Sequence, residues 1–575
     1  MRENGRRHER QKGETVKRHA LLLAAAALAG GVLVAASAAG GDKKAGFHTS
    51  TPAMLTGMNG STVKPIISSG DKLGSGYMFE SIPDGIAVGK VNGKGTFDIY
   101  VNHELSLVPF PATRQDATNS ILSRLRLHQK SAGVLSGSYA IPASAGYQRF
   151  CSNFMVGKTQ GFDRDLILTN EEARDIVLRQ EDSWHQPGVA LTEPNAEQAG
   201  VAVAYDIKKK TYKSIYSMGR SNHENELGVP GYGHPVVLTG DDTFDAPASQ
   251  LYMLNASSGA AFWNDQGTLH VFVSDNPAIN DYGDLTTASP SVNGHFVAVP
   301  EAIAKGKVNG HEAKAADFGF PAPPSAAIPD GPQWVLEYWS QNVAHAFQFI
   351  RIEDLAYDRT NGKVVYFADT GEPRAIPDGA GRLRRGPSGT LGSYMNGRLF
   401  KLALNTGDPA GTATLSILPG ANFDDNGYNS ATSPHQPDNV ETTKSAIYFT
   451  EDPGSHNTQP TFAGATNARV WKYDLASHAL TVVAEVNQLS ALSGITNKGA
   501  WESSGIVDVS RIFGPGSFLI DVQAHGWDMD AGTGNDPPAV PKRERGQLLL
   551  LKVQGESAAP AAKHGKAKGK GGKKK

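Results

Sequence analysis

The chain has 575 residues, with 64 glycines, 33 prolines and a formal net charge of −2. This length excludes a single small core, although one closed ring of β-sheets can absorb several hundred residues. Both ends are basic: residues 1–44 carry nine Lys or Arg and four acids, and residues 556–575 carry seven Lys and one acid. The middle is therefore acidic, at about −13. An acidic middle region argues against nucleic-acid binding and favours binding of divalent cations. An acidic surface that only keeps the protein soluble explains the charge equally well.

The N-terminal segment has the layout of an export signal. Residues 1–19 are basic, and an uninterrupted stretch of apolar or small residues follows from Ala20 to Ala39. Because Ala36-Ser37-Ala38 matches a small-x-small cleavage site, we expect residues 1–39 to be a signal peptide. An uncleaved anchor is the alternative, and Arg6-Arg7 leaves the general secretory and twin-arginine routes both open. We expect a secreted, periplasmic or cell-envelope protein with no transmembrane segment in the mature chain.

Short runs rich in β-branched and aromatic residues recur through the middle, punctuated by Gly, Asn, Asp and Pro. Two segments carry helical signals instead, at Thr169–Gln180 and more weakly at Asn119–Gln129. The predicted strands are Phe97–Val101, Val201–Tyr205, Gln250–Leu254, Leu269–Val273, Val364–Phe367, Arg398–Leu402, Ala446–Thr450, Arg469–Tyr473, Leu480–Val483, Ser517–Val522 and Gln547–Val553.

Many strands with few helices predict either a pair of β-sandwiches or a β-propeller. Several runs finish in polar, ligand-like residues, which are FDIYVNHE, HVFVSDN, VVYFADTGE, AIYFTEDPG and FLIDVQAHG. Turn formation explains any one of these endings. Taken together they favour a propeller, because its inner strands converge on one channel rim. We therefore expect an all-β propeller over residues 45–555, with a few inserted helices.

Five segments concentrate oxygen ligands of the kind that hard cations such as Ca²⁺ prefer. No HExxH motif, paired CxxC, EF-hand loop, GxSxG or P-loop accompanies them, which argues against standard zinc, EF-hand, serine-hydrolase and nucleotide sites. The candidate ligands are Glu104, Glu224, Asp242, Glu353, Asp438 and Glu502.

Cys151 is the single cysteine of the chain, so no intrachain disulfide can form. In an exported protein a lone cysteine is either a metal-binding or reactive thiol, or an inert buried one. A thiolate among carboxylates favours a softer or more Lewis-acidic metal, such as iron, at one position.

Arg351 and Glu353 lie two positions apart, so on a strand both side chains point to the same face. An arginine fork clamps a phosphoryl group, and a carboxylate beside it tolerates phosphate when it holds a cation. The pair therefore indicates one anion-binding and one cation-binding group, with an ordinary salt bridge as the alternative.

These segments, in this order, resemble the PhoX-type alkaline phosphatases and their relatives of unknown function. The resemblance spans residues 80–530, and the sequence departs from it around Glu193, around Cys151 and at residues 523–526. The matching motifs are VNHEL at 101–105, GRSNHE at 219–224, TGDD at 239–242, RIE at 351–353, PDN at 437–439, ESSG at 502–505 and QAHG at 523–526.

The resemblance implies a six-bladed propeller with calcium ions and an iron pair at one end of its channel. The implied metal ligands are Cys151 for iron, with Glu193, Glu224, Glu353, Asp438 and Glu502 among the carboxylates. Arg351 is implied to contact phosphate, and Lys401 to be a second phosphate-binding cation.

The expected activity is hydrolysis of small-molecule phosphate monoesters by a monomeric, exported metalloenzyme. Two alternatives remain open from the sequence: a non-catalytic, calcium-stabilised propeller that binds a surface partner, and a phytase-like propeller that uses calcium alone. Residues 556–575, rich in Ala, Gly and Lys, are expected to be disordered, with either a weak contact to an anionic envelope or no partner.

Overall fold

The structure is a computed structural model of the chain. It describes residues 45–108, 115–179, 191, 195–242, 249–325, 328–372, 374–377, 383–385, 392–427, 430–453, 466–529 and 541–556. The predicted signal peptide, Glu193 and nearly all of the predicted tail lie outside these residues. Glu556, placed in the tail by the sequence, accepts hydrogen bonds from Tyr448 and Lys472, each at 2.5 Å.

Strands dominate the described residues. In the first half of the chain they are β1 (Leu55–Gly57), β2 (Thr62–Ser68), β3 (Pro83–Val88), β4 (Thr96–His103), β5 (Gln115–Asp116), β6 (Ile121–His128), β7 (Val134–Ile141), β8 (Phe150–Val156), β9 (Leu166–Glu171), β10 (Ile176–Leu178), β11 (Ala196–Gln198), β12 (Ala202–Asp206), β13 (Thr211–Ile215), β14 (His223–Gly228), β15 (Val236–Asp241), β16 (Tyr252–Asn255) and β17 (Thr268–Ser274).

In the second half the strands are β18 (Ser291–Ala298), β19 (Lys307–Val308), β20 (His311–Glu312), β21 (Ile352–Tyr357), β22 (Val364–Asp369), β23 (Ala375–Pro377), β24 (Leu383–Arg385), β25 (Arg398–Ala403), β26 (Ala413–Asn422), β27 (Pro437–Thr442), β28 (Ala446–Glu451), β29 (Arg469–Asp474), β30 (Leu480–Val486), β31 (Glu502–Asp508), β32 (Ser517–Asp528), β33 (Pro541–Lys542) and β34 (Glu544–Lys552).

The α-helices are short. They are α1 (Gly259–Trp263), α2 (Glu301–Lys305), α3 (Pro332–Asn342), α4 (Ser490–Ser493) and α5 (Ser510–Phe513). Within the described residues, no helix has the length and apolar character needed to cross a membrane.

Each of the eleven predicted β-runs overlaps a strand, and the described residues are mostly β, as predicted. The two predicted helices are wrong. Asn119–Gln129 contains β6, whose residues alternate: Leu125 and Leu127 enter the apolar core, while Arg124 and Arg126 pair with Asp98 on β4. Period-two alternation of this kind is a strand signal.

The other predicted helix, Thr169–Gln180, spans the end of β9 and the whole of β10. Leu168 and Ile167 of β9 enter two different apolar clusters, because the strand is buried on both faces. Glu171 and Glu172, at its end, are buried in tertiary contacts rather than placed in the first turn of a helix.

The strands form a propeller-like arrangement of four separate blade-like sheets and one nine-stranded sheet. The orders are β3-β4-β6-β7, β13-β12-β9-β8, β1-β30-β29-β28-β27 and β2-β34-β32-β31, with β14-β15-β16-β17-β18-β26-β25-β22-β21 for the large sheet. Strand β2 from the N-terminal part pairs with β34 from the C-terminal part, and so completes the last sheet.

One edge strand of each small sheet, and both edge strands of the large sheet, meet in a closed ring. Neighbours contact each other in the order β3, β8, β14, β21, β27, β31 and back to β3. We call these the inner strands. Apolar clusters fill the seams between neighbouring sheets; one of them joins Ile86 and Phe97 of the first sheet to Leu519 and Leu548 of the last.

Candidate metal centre

An acid or a thiol stands at the start of every inner strand. It is the second residue in five strands and the first residue in β31. Because these strands begin at one end of the ring, the side chains converge there. The residues, in ring order, are Asp84, Cys151, Glu224, Glu353, Asp438 and Glu502.

A second set of acids follows the strands that pair with the inner ones. Since the pairing is antiparallel, the end of each such strand lies beside the start of its inner strand. These residues are Glu104 after β4, Glu172 after β9, Asp242 after β15 and Asp452 after β28.

Glycines allow the inner strands to approach each other closely at this end. A Cβ on Gly85 would lie 2.4 Å from the backbone nitrogen of Asn153, and one on Gly505 would lie 2.5 Å from the carbonyl oxygen of Asp84. Gly505 also has a φ of +25°. The narrow spacing brings side chains from distant segments into contact around the channel axis.

Seven of these residues form three groups, and within each group the ligand atoms lie within 4.8 Å of one another. Cys151 belongs to the first two groups and Glu224 to the last two, so the groups form one continuous centre. The groups are Asp84–Glu104–Cys151, Cys151–Glu172–Glu224 and Glu224–Glu353–Asp438. We call their residues the acidic centre.

Cys151 lies between two carboxylates. Its Sγ is 2.9 Å from Oδ2 of Asp84, and 3.0 and 2.9 Å from the two carboxylate oxygens of Glu224. Burial, together with the charges of Asp84 and Glu224, raises the pKa of the Cys151 thiol well above its usual range.

The carboxylates also disfavour one another's charge. Burial, followed by repulsion from neighbouring acids, raises the pKa of Glu224, Glu353 and Asp438 well above the usual range, and raises that of Glu104 to about 8. Buried acids in such a set are stabilised in their charged form by cations.

The donor atoms fit two kinds of metal. Glu224, Glu353 and Asp438 offer oxygen only, which suits calcium. The two groups that contain Cys151 add a sulfur ligand to carboxylates, which suits a transition metal such as iron.

Hydroxyl groups orient two carboxylates of the acidic centre, and an amide group supports one of these hydroxyls. Ser504 donates a hydrogen bond to Asp84, and Ser152 donates to Glu224 at 3.3 Å. The amide of Asn439 in turn donates to Oγ of Ser152 at 3.0 Å. These contacts involve five of the six inner strands, so the scaffold holds the Asp84 and Glu224 carboxylates in place.

Arg351 lies beside the third group. Its Nε and Nη2 each donate to the Asp242 carboxylate at 2.5 Å, and Nη2 is 3.6 Å from Oε1 of Glu353. Burial opposes its charge, but Asp242 and Glu353 raise the pKa of Arg351 well above its ordinary value. A permanent positive charge therefore adjoins the acids.

Glu502 lies outside the three groups but faces the same end of the ring. The ring nitrogens of His525 are 3.7 Å from Glu502 and 3.2 Å from Glu544. Burial opposes protonation of His525, yet hydrogen bonds with both glutamates raise its pKa well above the ordinary value. Gln523 donates to Glu104 at 3.1 Å, which connects this rim to the acidic centre.

The structure thus brings together Cys151, Glu224, Glu353 and Asp438, with Arg351 adjacent. Lys401 is different: it lies in the middle of β25, opposite Tyr366 and Ser416. Among the described residues, no hydrogen bond or ion pair joins Lys401 to the acidic centre, so we leave it out of the proposed site.

Sequence reasoning missed Asp84 and Glu172. Asp84 lies at the start of its strand, where no polar strand ending draws attention to it, and Glu172 was assigned to the wrongly predicted helix. The available signal was positional: Glu104 and Glu172 both directly follow the second strand of a sheet, and Asp84 is second in an inner strand.

No protein-family profile and no curated protein sequence matches this chain. Among solved structures, PhoX of Pseudomonas fluorescens, in complex with the transition-state analogue vanadate, matches with a TM-score of 0.56 and 16% identity. The match covers 88% of this chain and 97% of PhoX. A protein of unknown function from Dyadobacter fermentans matches with a TM-score of 0.38 and 6% identity over 86% of this chain and 99% of that one. The chain therefore has a PhoX-like fold.

Proposed function

We propose that this protein is an exported, metal-dependent phosphatase that hydrolyses phosphate monoesters with a calcium and iron centre. The acidic centre is the observation that carries the proposal. Its three ligand groups are joined through Cys151 and Glu224, and Arg351 lies beside the third group. PhoX, whose fold is similar, was solved in complex with vanadate, a transition-state analogue.

The proposal includes six blades. The nine-stranded sheet counts as two blades, β14–β17 and β21–β22–β25–β26, because β18 pairs with the outer strand of each. Each half then contributes one inner strand, as every other sheet does.

The residues divide between two kinds of metal. Glu224, Glu353 and Asp438 would hold calcium, while Asp84, Glu104, Cys151 and Glu172 would hold iron together with Glu224. Bound cations supply Lewis-acid chemistry and neutralise the charge of a phosphate ester. Glu502 would contribute at the rim, and Glu193 keeps the role that the sequence resemblance implies.

The chain's own groups position the substrate. Arg351 would orient the phosphoryl group, because a guanidinium matches the geometry of phosphate oxygens. Asp242 would fix the plane of the guanidinium through its two hydrogen bonds at 2.5 Å. His525 would hold a proton between Glu502 and Glu544 at the rim. Catalysis then consists mainly of positioning and charge stabilisation.

Export and cellular context are part of the proposal. We infer removal of residues 1–39, a secreted or periplasmic location, a monomer, and at most a weak contact of the Lys-rich tail with the cell envelope. Small-molecule phosphate esters are the proposed substrates.

The test is hydrolysis of p-nitrophenyl phosphate by purified protein supplied with calcium and iron, with metals counted by elemental analysis. Wild-type protein is expected to turn over the ester with both metals bound. Full activity in Cys151→Ser protein without iron would indicate a calcium-only phytase-like enzyme. Calcium binding without any turnover would indicate a non-catalytic propeller.

A further inference from the structure

A hydrogen bond crosses the channel from one side of the inner ring to the other. The side-chain amide of Asn439, on β27, donates to Oγ of Ser152, on β8, at 3.0 Å. In the ring order β3, β8, β14, β21, β27, β31, these two strands stand three positions apart in either direction. They therefore lie opposite one another, and the bond spans the channel. We call Asn439 and Ser152 the cross-channel bridge.

The cross-channel bridge leads to Glu224, the carboxylate that two ligand groups share. The hydroxyl of Ser152 donates to Oε1 of Glu224 at 3.3 Å. Because the amide of Asn439 is a donor, it occupies an acceptor site of the same hydroxyl oxygen and leaves the single hydroxyl hydrogen for Glu224. Asn439, Ser152 and Glu224 are 1%, 2% and 2% exposed, so bulk water does not compete for these bonds.

A hydroxyl on the next strand sets the direction in which the Asn439 amide points. Thr450, on β28, donates to Oδ1 of Asn439 at 3.5 Å, and its own Oγ1 accepts from the backbone nitrogen of Asn439 at 2.9 Å. The amide oxygen therefore faces Thr450, and the NH₂ group faces Ser152. The bonds from Thr450 to Glu224 all run in one direction, since each hydroxyl or amide hydrogen in the chain has its own acceptor.

The main chain of Ser152 is held separately from its hydroxyl. The amide of Asn102, on β4 of the first sheet, donates to the carbonyl oxygens of Cys151 and Ser152, the second at 3.0 Å. Ser152 is thus fixed through its backbone by one sheet and through its side chain by the strand opposite. It offers Glu224 a hydrogen bond from a fixed point.

Glu224 benefits from such a fixed donor because its position decides whether the ligand groups stay joined. It is the member common to the second, thiol-containing group and the third, all-oxygen group. A glutamate side chain has three rotatable bonds, and the last of them is only weakly restrained. We propose that Asn439 and Ser152 are positioning residues that hold the Glu224 carboxylate between the two groups. This inference rests on the proposed function, which assigns metals to both groups.

Metal retention tests the role of the bridge. Metal-loaded protein is titrated with chelator, and the calcium and iron that stay bound are measured by elemental analysis. Ser152→Ala removes the hydroxyl but no metal ligand, so both metals should be released at a chelator concentration about 10–100-fold lower than for wild type.

Ser503→Ala is the matched control. Ser503 directly follows Glu502 on β31, as Ser152 follows Cys151 on β8, and it is fully buried. Its hydroxyl, however, lies 3.4 and 3.3 Å from the backbone carbonyl oxygens of residues 451 and 469 rather than beside a carboxylate. The control should retain both metals as wild type does.

A double-mutant cycle separates positioning from general stabilisation of the ring. Asn439→Ala leaves the Ser152 hydroxyl in place but free to turn, so its effect on metal retention should be smaller than that of Ser152→Ala. In the Ser152→Ala background it should have no further effect, because the hydroxyl through which it acts is gone. Additive effects would show that Asn439 does not act through Ser152, and would overturn the proposal.

Thr450 keeps the test decisive if Ser152→Ala folds poorly. Thr450→Val removes the hydroxyl that orients the amide with little change of shape, so metal retention should fall. Thr450→Ser keeps a hydroxyl and should retain metals as wild type does. Wild-type retention in Thr450→Val would overturn the proposal, as would wild-type retention in Ser152→Ala or an equal loss in Ser503→Ala.

These measurements are separate from the phosphatase test, because they count metals and need no turnover. Wild-type protein that binds metals without hydrolysing p-nitrophenyl phosphate would end the proposed function, while early metal release from Ser152→Ala would still support the bridge. Active wild-type protein with unchanged metal retention in Ser152→Ala would end the positioning role alone.

Discussion

Acidic side chains have different kinds of partner at the two ends of the inner ring. At the end of the ring away from the acidic centre, Glu441 pairs with Arg359 and Asp165 with Lys90. In the acidic centre, Glu224 has a thiol and other acids as its close neighbours. The same six inner strands form both ends, so the difference in partners comes from the side chains and not from the backbone scaffold. The charges at one end are paired within the protein, whereas the clustered acids at the other end could hold metal ions.

Replacing Glu224, which two of the ligand groups share, should have the largest effect on metal binding and activity. Glu224→Gln takes one charged ligand from both the thiol-containing and the all-oxygen group, so bound calcium and iron should both fall and phosphatase activity should drop to background. Elemental analysis and p-nitrophenyl phosphate turnover measure the two effects. Glu441→Gln, at the opposite end, is the control and should retain metals and turnover; equal loss in both variants would contradict the contrast.

Arg351 should matter for turnover more than for metal binding. Replacing it by Ala removes the charge expected to orient the phosphoryl group, which should lower kcat/KM by about 10²–10³-fold while metals remain bound. Asp242→Asn keeps the arginine but loosens its position, so a smaller loss of about 10–100-fold is expected. Steady-state kinetics on both variants checks the order, and unchanged activity in Arg351→Ala would remove that residue from the proposed site.

Stability without metals should depend on pH in a direction set by the buried acids. Burial and the charge of Asp84 raise the pKa of Glu104 from its ordinary value to about 8. A raised folded-state pKa contributes stability that is present below the unfolded value and is lost as pH rises towards 8. The Tm of chelator-treated protein should therefore fall from pH 5 to pH 8, and added metals should restore most of it at pH 8. Thermal unfolding with and without chelator measures this, and an equal chelator effect at both pH values would contradict it.

The paired end should show the smallest effect, confined to stability. Glu441 accepts hydrogen bonds from Arg359 and from the backbone nitrogens of Thr442 and Asp508. Glu441→Gln weakens the bond from Arg359, so the free energy of unfolding should fall by about 1–3 kcal/mol. Urea denaturation measures this loss. A far larger loss, or a changed metal content, would mean that the two ends are coupled.

The sequence predicted the strands well and the composition of the centre only in part. Runs such as Ala446–Thr450 are buried in the seams between sheets, and their composition signals this without any tertiary information. Asp84 joins Cys151 because β3 packs against β8, and Glu172 joins it because the end of β9 lies beside the start of β8. Whether Asp84 and Glu172 belong to the acidic centre depends on which strands become inner strands, and local sequence patterns do not encode that.

The helix prediction at Thr169–Gln180 failed for a related physical reason. Thr169, Asn170 and Glu171 look like a helix start, but all three are buried, and Glu171 accepts hydrogen bonds from Gln148 and Arg179. Tertiary contacts satisfy these polar groups, so the local preference for a cap does not decide the structure.

The pairing of β2 with β34 has a consequence for how the protein matures. Thr62 lies opposite Lys552, so this sheet is whole only after a segment much later in the chain has been made. Asp84 in the first sheet accepts a hydrogen bond from Ser504 in the last, so the acidic centre also depends on a segment made late. A nascent chain stalled before β34 should therefore be unable to complete the last sheet, which lies beside the acidic centre.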